Sequence, residues 1–370
     1  MSLFALRGEL SRTQNIIFGL LGLLLFVLAW WLVAEAKSQQ IPVGIEQQEL
    51  PSSIGADSLT LARIDSLTRL DSIAFANATE FRKVYPIIPT PMATFGSYGE
   101  LLSSDGLLTN AWYSIWLNLR GYFWAVMLSI PIGFVLGLYP LFRGLFNRQV
   151  EAFRFLPLTA LVGIFMAWYG TGDNMKIAFL AFGIMVYLIP VIVQRVFQVN
   201  DVYLKTVFTL GATDWQTIKS VYIPSVMSKV IDDIRVLTAI SWTYIIIAEL
   251  LNSTKGLGRL IWTSSRTGQT EKVFAILLVF IIIGLIQDRL FVFIDRRLFP
   301  HKYLNTRPAG LRESQYGIAM VLGVVVMGLI ITAIIPGIAW LWTSLVPILV
   351  IAGVLFIFYG EFNIYRSTSN

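Results

Sequence analysis

The sequence predicts an all-α polytopic membrane protein, and composition, run length and hydropathy pattern each point to this class. Of the 370 residues, 56% are hydrophobic and only 14% are charged, and the mean hydropathy is +0.70. Such values lie far from those of ordinary soluble domains. Several apolar runs approach or exceed the roughly 18–20 residues needed to cross a hydrocarbon core. Because unpaired backbone groups are costly in lipid and these runs do not alternate with polar residues, helices are the predicted spanning structure.

About eight membrane helices are predicted along the chain. The first follows Arg7 and Arg12, and its length and lack of a small-residue cleavage site favour a retained anchor over a signal peptide. The last two are separated by little more than Pro336-Gly337, which predicts a tight helical hairpin. The predicted spans are about 16–33, 116–138, 153–169, 177–193, 234–251, 273–293, 316–335 and 338–359.

These spans divide the chain into four predicted regions. They are an N-terminal anchor at 1–35, an external polar insert at 36–106, a core at 107–298, and a cytoplasmic linker with the C-terminal hairpin at 299–370. No secure secondary structure is predicted for the insert. Within the core, a cytoplasmic polar loop is expected at about 201–228.

The distribution of basic residues predicts that both termini are cytoplasmic. Cytoplasmic loops of membrane proteins carry an excess of Lys and Arg. With the N-terminus inside, the inner loops hold most of the loop cations, although four basic residues between 255 and 272 on the outside dilute the bias. The inner set is Arg7, Arg12, Arg143, Arg148, Arg195, Lys205, Lys219, Lys229, Arg296, Arg297, Lys302, Arg307 and Arg312.

Residue types exclude several kinds of chemistry. The chain has no cysteine, which rules out disulfides, thiolate metal sites and cysteine nucleophiles. His301 is its one histidine, so a histidine-based metal cluster or catalytic dyad is not expected. The sequence also contains no G-x-x-x-x-G-K-[ST] phosphate loop, since Lys255-Gly256-Leu-Gly258 has the wrong order. We therefore expect neither an enzyme nor a metal, and no cofactor bound by this chain.

The polar loop between two of the apolar segments carries the most specific pattern. Residues Asp201–Leu210 and Trp215–Tyr222 each read as a short helix, with Gly211 permitting the sharp turn between them. Asp214 is the expected cap of the second helix, and Pro224 is expected to end the unit. Apolar side chains are available to anchor the unit or to fill a cleft in a partner. The residues assigned to this loop are Leu204, Lys205, Phe208, Gly211, Ala212, Asp214, Trp215, Ile223 and Pro224.

Gly211-Ala212 and Ile223-Pro224, at this spacing, resemble the cytoplasmic coupling loop of binding-protein-dependent ABC permeases. The resemblance extends from about Pro89 to Arg297, a six-helix core, and is greatest to the nitrate/sulfonate/taurine/bicarbonate branch of importers. Further matching pieces are Pro89-Thr-Pro91, Ser114, Gly121, Pro131-Ile-Gly133, Gly137, Arg154, Pro157, Ala160, Trp168-Tyr-Gly170-Thr-Gly172, Pro190, Ala248-Glu249, Gly256-Leu-Gly258, Asp288-Arg289 and Arg296-Arg297.

The resemblance implies an importer permease in a bacterial-type cytoplasmic membrane, carrying a small solute such as an oxyanion or sulfonate. It further implies a second permease copy, separate ABC ATPase subunits that use ATP, and an external solute-binding protein; nothing indicates a nucleic-acid partner. Two positions depart from the family pattern. Lys205-Thr206-Val207 stands where the family has Glu-Ala-Ala, and Gly163 stands where a second proline is frequent.

A stripe of polar residues follows on the next membrane helix. Arg235, Thr238, Trp242 and Glu249 share one helical face, at offsets of three, seven and fourteen from the first. Charges at membrane depth usually face a bundle interior or a wet cavity, so the stripe is a candidate translocation path. Alternatively, Glu249 hydrogen-bonds a neighbouring helix while Arg235 extends towards cytoplasmic water. A membrane scaffold or sensor that keeps a permease-like core is the alternative function for the whole chain.

Overall fold

The computed structural model describes residues 10–42, 81–303, 310–334 and 339–369. They group into two compact units, Met1–Gly106 with Ile261–Leu278, and Leu107–Leu260 with Val279–Asn370. The all-α prediction is confirmed, because every described span of membrane length is a helix.

The first unit contains an apolar helix, a small ribbon and two short helices. Helix α1 (Arg12–Ala36) begins at a capping box in which Ser11 and Gln14 exchange hydrogen bonds. Strands β1 (Gln39–Pro42) and β2 (Phe81–Val84) pair antiparallel, and α2 (Pro91–Gly96) and α3 (Tyr98–Ser103) follow. The ribbon is a local structure of the polar insert that the sequence did not indicate. Residues 43–80 of that insert lie outside the described residues.

The second unit is built around three long helices that pack closely together: α4 (Leu107–Leu138), α7 (Asp173–Phe197) and α10 (Ile223–Asn252). Phe179, Ile184 and Ile245 are fully buried among them. The other helices in the described part of the chain are α5 (Pro140–Phe153), α6 (Val162–Tyr169), α8 (Asp201–Thr209), α9 (Asp214–Thr217), α11 (Leu257–Arg266), α12 (Thr270–Leu298), α13 (Leu311–Ile334) and α14 (Ala339–Ser369).

Glycines on α4 allow its close approach to α7. A Cβ built on Gly133 would lie 2.6 Å from Cβ of Ile192, and one on Gly137 would lie 2.9 Å from Cβ of Val196. Real Cβ atoms essentially never come this close, so only glycine fits at this helix separation. Small residues bring membrane helices together in this way. Gly133 and Gly137, four positions apart, thus form the close-packed seam between α4 and α7.

The predicted single span at 153–169 is wrong in its geometry. In the described residues, Pro140–Phe153 and Leu158–Tyr169 form a pair bent by 95°. The break falls just before Pro157, which lacks an N–H and disfavours helical geometry in the residue before it. In the part of the chain that the structure describes, seven single helices qualify as spans, or up to eight if the bent pair counts as one.

The C-terminal helices α13 and α14 pack against each other through glycines. A Cβ on Gly317 would lie 2.6 Å from the carbonyl oxygen of Gly353, and one on Gly360 would lie 2.4 Å from the backbone nitrogen of Ser314. The guanidinium of Arg297 on α12 donates to Glu361 on α14, which also accepts from Ser314 Oγ at 3.0 Å. The connection at 335–338 lies outside the described residues.

Candidate functional site

The predicted polar loop begins with a well-capped short helix. Asn200 accepts from the backbone of Val202 and caps α8. After α8, the Ala212 N–H donates to Val207 O at 3.0 Å, and the Gly211 N–H donates to Phe208 O at 3.0 Å. These two bonds form a Schellman motif, and Gly211 has the positive φ, +73°, that this motif requires. The sharp turn predicted at Gly211 is present.

The second half of the loop differs from the sequence prediction at its cap. Thr213, not Asp214, is the N-cap of α9, because the Thr213 hydroxyl accepts from the Gln216 N–H and the Gln216 side chain accepts from the Thr213 N–H. Asp214 is instead the first residue of the helix, where its charge complements the positive end of the helix dipole. A threonine followed three residues later by glutamine is a capping box, a signal already present in the sequence.

Pro224 does not end the unit. Helix α9 passes through a π-helical turn, Ile218–Tyr222, into α10, so 214–251 is one continuous helix of 38 residues. Pro224 is the second residue of α10. There a proline is tolerated because the wider turn before it changes the hydrogen-bond register that the ring would otherwise block. The loop is therefore joined rigidly to a helix of the core.

The apolar residues of this loop have two different environments. Leu204 and Val207 are partly buried against the core cluster, so they anchor α8. Leu210 and Trp215, on the two sides of the turn, are 79% and 68% exposed. Phe208 and Lys205 are also exposed, and Lys205 makes no ion pair among the described residues. The turn thus presents an apolar and basic surface on a rigid support.

The four stripe residues of α10 all contact neighbouring protein groups. Arg235 donates to Asp288 on α12, with Nη2 2.9 Å from Oδ2, and Trp242 Nε1 donates to Gln287 Oε1 at 2.9 Å. The Thr238 hydroxyl donates to the backbone of its own helix. Their role as a translocation path stays a prediction. The geometry corresponds to the alternative for Glu249, which is hydrogen-bonded to a neighbouring helix.

Glu249 is 1% exposed and holds the C-terminal end of α10 to the loop that follows it. Its Oε1 accepts from Ser114 Oγ on α4 at 2.7 Å, and its Oε2 accepts from the Gly258 N–H at 2.8 Å. The Ser114 oxygen in turn accepts from the Leu257 N–H at 2.9 Å. The Gly256 N–H donates to the Asn110 side chain. We call this hydrogen-bonded group, Asn110, Ser114, Glu249 and 256–258, the Glu249 latch.

The glycines of the latch are required by the carboxylate. A Cβ on Gly256, whose φ is +110°, would lie 2.4 Å from the carboxyl carbon of Glu249. A Cβ on Gly258 would lie 2.8 Å from Cβ of Glu249 and 2.9 Å from the carbonyl oxygen of Ile246. The spacing Ala248-Glu249 to Gly256-Leu-Gly258, noted in the sequence only as a motif, therefore describes one packed unit.

Sequence reasoning missed most of a polar seam between α4 and α10. Beyond Ser114, the Asn118 amide donates to Ser241 Oγ at 3.0 Å, and the Tyr122 hydroxyl donates to the Ile234 carbonyl. Asn110, Ser114, Asn118 and Tyr122 recur every four residues on a mostly apolar helix, which is the signal that could have identified this seam.

A second polar group lies beside the latch. Lys176, on the first turn of α7, is 3% exposed, and its Nζ donates to Tyr113 Oη and Ser253 Oγ, both at 3.0 Å. Asp173 lies 3.5 Å from the same Nζ and accepts from Tyr113. The ends of α4, α7 and α10 that are remote from Gly211 are thus joined by polar contacts.

Ion pairs join the helices at the Gly211 end. Arg195 on α7 forms a bidentate pair with Asp233 on α10, with both N···O distances at 2.7 Å. Lys302 donates to Asp232 and Asp295, each at 3.0 Å. The Tyr303 hydroxyl also donates to Asp295, and this hydrogen bond raises the pKa of the Tyr303 phenol. The Arg195–Asp233 pair holds α7 firmly to α10 because its two charge-assisted hydrogen bonds fix the geometry of the pair.

The helices and this loop define the class of protein: an integral membrane protein with a helical permease core. Residues 129–300 match the family described as "Binding-protein-dependent transport system inner membrane component". The resemblance read from the sequence is thereby confirmed, as is the multi-pass localisation in a bacterial-type inner membrane.

Relatives within the family carry transport names. The taurine transport system permease protein of Escherichia coli is 28% identical over 178 residues, 48% of this chain and 65% of that protein. A Bacillus subtilis protein provisionally named an aliphatic sulfonates transport permease protein is 26% identical, covering 57% of this chain and 77% of its own length. The nitrate import permease protein of Synechococcus elongatus is 24% identical, covering 49% and 66%. The aligned segment thus spans just under two thirds of the taurine and nitrate permeases.

Proposed function

We propose that this chain is the transmembrane permease subunit of an ABC importer and that the Gly211 turn docks on a separate ATPase. The observation that carries the proposal is the exposure of Leu210 and Trp215 on a turn fixed by a Schellman motif and a capping box. A large apolar side chain that is held rigidly in the open is typical of an interface anchor.

The rigid attachment of the Gly211 turn to α10 allows the turn to transmit force to the core. Because 214–251 is one helix, a force applied to Trp215 acts directly on α10 within the core. The far end of this helix carries Glu249, which is bonded to α4 and to the loop at 256–258. In this proposal, ATP bound and hydrolysed by the partner moves the turn, and α10 conveys the movement across the membrane.

The remaining components follow the same proposal. Two copies of the chain form the pathway, two ATPase subunits sit at the Gly211 face, and a solute-binding protein delivers the substrate at the opposite face. The names of the relatives favour a small sulfonate or oxyanion as the solute. In this proposal the stripe residues Arg235, Thr238 and Trp242 supply the polar groups of the α10 side of that path, whereas Glu249 belongs to the latch.

The test replaces Gly211 by valine and, as a matched control, by asparagine. Asparagine tolerates a positive φ whereas a β-branched residue does not, so only the valine variant should distort the turn. Trp215→Ala removes an exposed anchor without disturbing the fold. The tagged chain is purified in mild detergent, and the co-purifying ATPase is quantified by mass spectrometry.

We expect Gly211→Val and Trp215→Ala to lose the ATPase and Gly211→Asn to retain it. All three variants should remain monodisperse on a sizing column, with the elution volume of Gly211→Val and Trp215→Ala shifted only by the mass of the lost ATPase. An ATPase that stays bound to both weakened variants would place the docking surface elsewhere. An unaltered chain that carries no ATPase would favour the scaffold alternative.

A further inference from the structure

A basic cavity on the end of α12 is not used by the proposed transport mechanism. It measures about 570 Å³ and is lined by Arg289, Val292, Phe293, Arg296, Arg297 and Tyr303. Helix α12 ends on the same membrane face as the Gly211 turn, because α10 crosses away from that face and α12 returns to it. We call this cavity the α12 pocket.

The charges in the α12 pocket are not neutralised by their acidic neighbours. Asp288 is paired with Arg235, and Asp295 is paired with Lys302 and Tyr303. Within the described residues, neither Arg289 nor Arg296 forms an ion pair. Two guanidinium groups therefore lie in one cavity, each without a carboxylate partner among the described residues.

A third guanidinium has an unused donor. Arg297 donates to Glu361 through Nη2, but its Nε is buried and has no acceptor among the described residues. Because this Nε is buried, an anion in the cavity does not reach it, and the accessible guanidinium donors are those of the exposed Arg289 and Arg296. The fork of N–H groups on arginine suits the oxygens of a phosphate. The pocket thus has the donors and the charge for a phosphate group.

The surface next to the pocket distinguishes a lipid phosphate from a free one. Ile282, Ile286, Arg289, Phe293 and Arg296 recur at offsets of four and three along one face of α12. Ile282 and Ile286 are 54% and 65% exposed. The face is therefore apolar towards the membrane interior and cationic at its end. An anionic phospholipid complements this face, because its apolar acyl chain lies in the membrane interior and its negative headgroup lies at the membrane surface.

We propose that the α12 pocket binds the headgroup of an anionic phospholipid, with Arg289 and Arg296 on the phosphate and Ile282 and Ile286 along an acyl chain. Basic pockets at the ends of membrane helices suit this ligand class because each cation near an anionic headgroup adds to the affinity. The site is independent of the transport proposal, since it involves no residue of the Gly211 turn or the Glu249 latch.

The test measures binding of phosphatidylglycerol to the full-length chain by native mass spectrometry, with phosphatidylcholine as the zwitterionic comparison. The variant is Arg289→Gln/Arg296→Gln. The matched control, Arg148→Gln/Arg312→Gln, removes the same charge from exposed positions outside the pocket. Thermal unfolding of each variant confirms that it is folded.

We expect the apparent Kd for the first bound phosphatidylglycerol to rise about tenfold to a hundredfold in the pocket variant, since two cations near the headgroup are lost. The control variant should bind as the unaltered chain does, and phosphatidylcholine should not show the difference. Equal loss in both variants, or no loss in the pocket variant, would overturn the proposal. Displacement of the lipid by excess inorganic phosphate would instead assign the pocket to free phosphate.

Discussion

The carboxylate of Glu249 accepts a hydrogen bond from Ser114 Oγ at 2.7 Å, although the two residues lie 135 positions apart in the chain. The same carboxyl group accepts from the Gly258 N–H, so a buried acidic side chain joins two helices and the loop between α10 and α11. Buried polar groups in this arrangement are stabilising only while every member is paired. The first two predictions follow from this dependence.

Replacing Glu249 should destabilise the protein in proportion to the bonds lost. Glu249→Ala leaves the Ser114 hydroxyl and the Gly258 N–H without their acceptor and opens a cavity. Each unsatisfied buried group costs about 1–3 kcal/mol, so we expect a loss of several kcal/mol. Glu249→Gln keeps one acceptor and the shape, and should cost less than half as much. Thermal unfolding in detergent measures both; a glutamine variant as unstable as alanine would contradict the latch.

Gly256→Ala should destabilise the chain more than Gly170→Ala. Both glycines have a positive φ, +110° and +72°, so both alanines incur backbone strain. Only at Gly256 does the added Cβ meet Glu249, whereas the space around Gly170 is open. The difference between the melting temperatures of the two variants therefore reports the clash between the added Cβ and Glu249. Equal melting temperatures would show that the carboxylate can move aside freely.

Gly133→Ala should force α4 and α7 apart. The new Cβ would lie 2.6 Å from Cβ of Ile192, which belongs to a packed helix and cannot rotate away. Overpacking of this kind costs about 1–3 kcal/mol. Gly284→Ala on α12, where the space is open, is the control and should be neutral or slightly stabilising through helix propensity. The free energy of unfolding should therefore fall for Gly133→Ala and stay unchanged or rise slightly for Gly284→Ala.

Gly317→Val should weaken the C-terminal hairpin, and Gly323→Val should not. Both residues lie on α13, so the helix-propensity effect is shared. A Cβ on Gly317 meets the carbonyl oxygen of Gly353 at 2.6 Å, whereas Gly323 has open space. Limited proteolysis of the purified variants reports the change as faster cleavage within α13 or α14. The prediction fails if both variants resist the protease equally.

Local signals accounted for the loop around Gly211. A glycine after a short helix indicates a C-terminal cap, and the observed Schellman motif depends only on residues within a few positions. The capping box at Thr213 was equally local, but Asp214 was chosen because both residue types are good caps. Pro224 was misjudged because the π-helical turn Ile218–Tyr222 lets the helix continue through the proline, and the sequence does not reveal this turn.

The sequence could not predict which residues of different helices contact each other. Glu249 was recognised as a charge at membrane depth, but its partner could not be chosen among the many polar residues of other helices. The polar seam was overlooked because the hydrogen-bond partners of Asn118 and Tyr122 lie on α10, more than one hundred residues further along the chain. The candidate translocation path was assigned from one helix alone, and its neighbours decided which of its side chains are buried.

The sequence by itself determined the class of the protein, the number and approximate limits of its apolar spans, and the coupling-loop pattern. These follow from run length and from short-range backbone chemistry, which need no knowledge of neighbours. Only the tertiary structure decided that 140–169 is a bent pair of helices, which glycines are packed tightly, and that Glu249 pairs with Ser114 and Gly258. The physical reason is that helices in lipid are specified one at a time by hydrophobicity, whereas their association depends on close packing and hydrogen bonds between residues far apart in the chain.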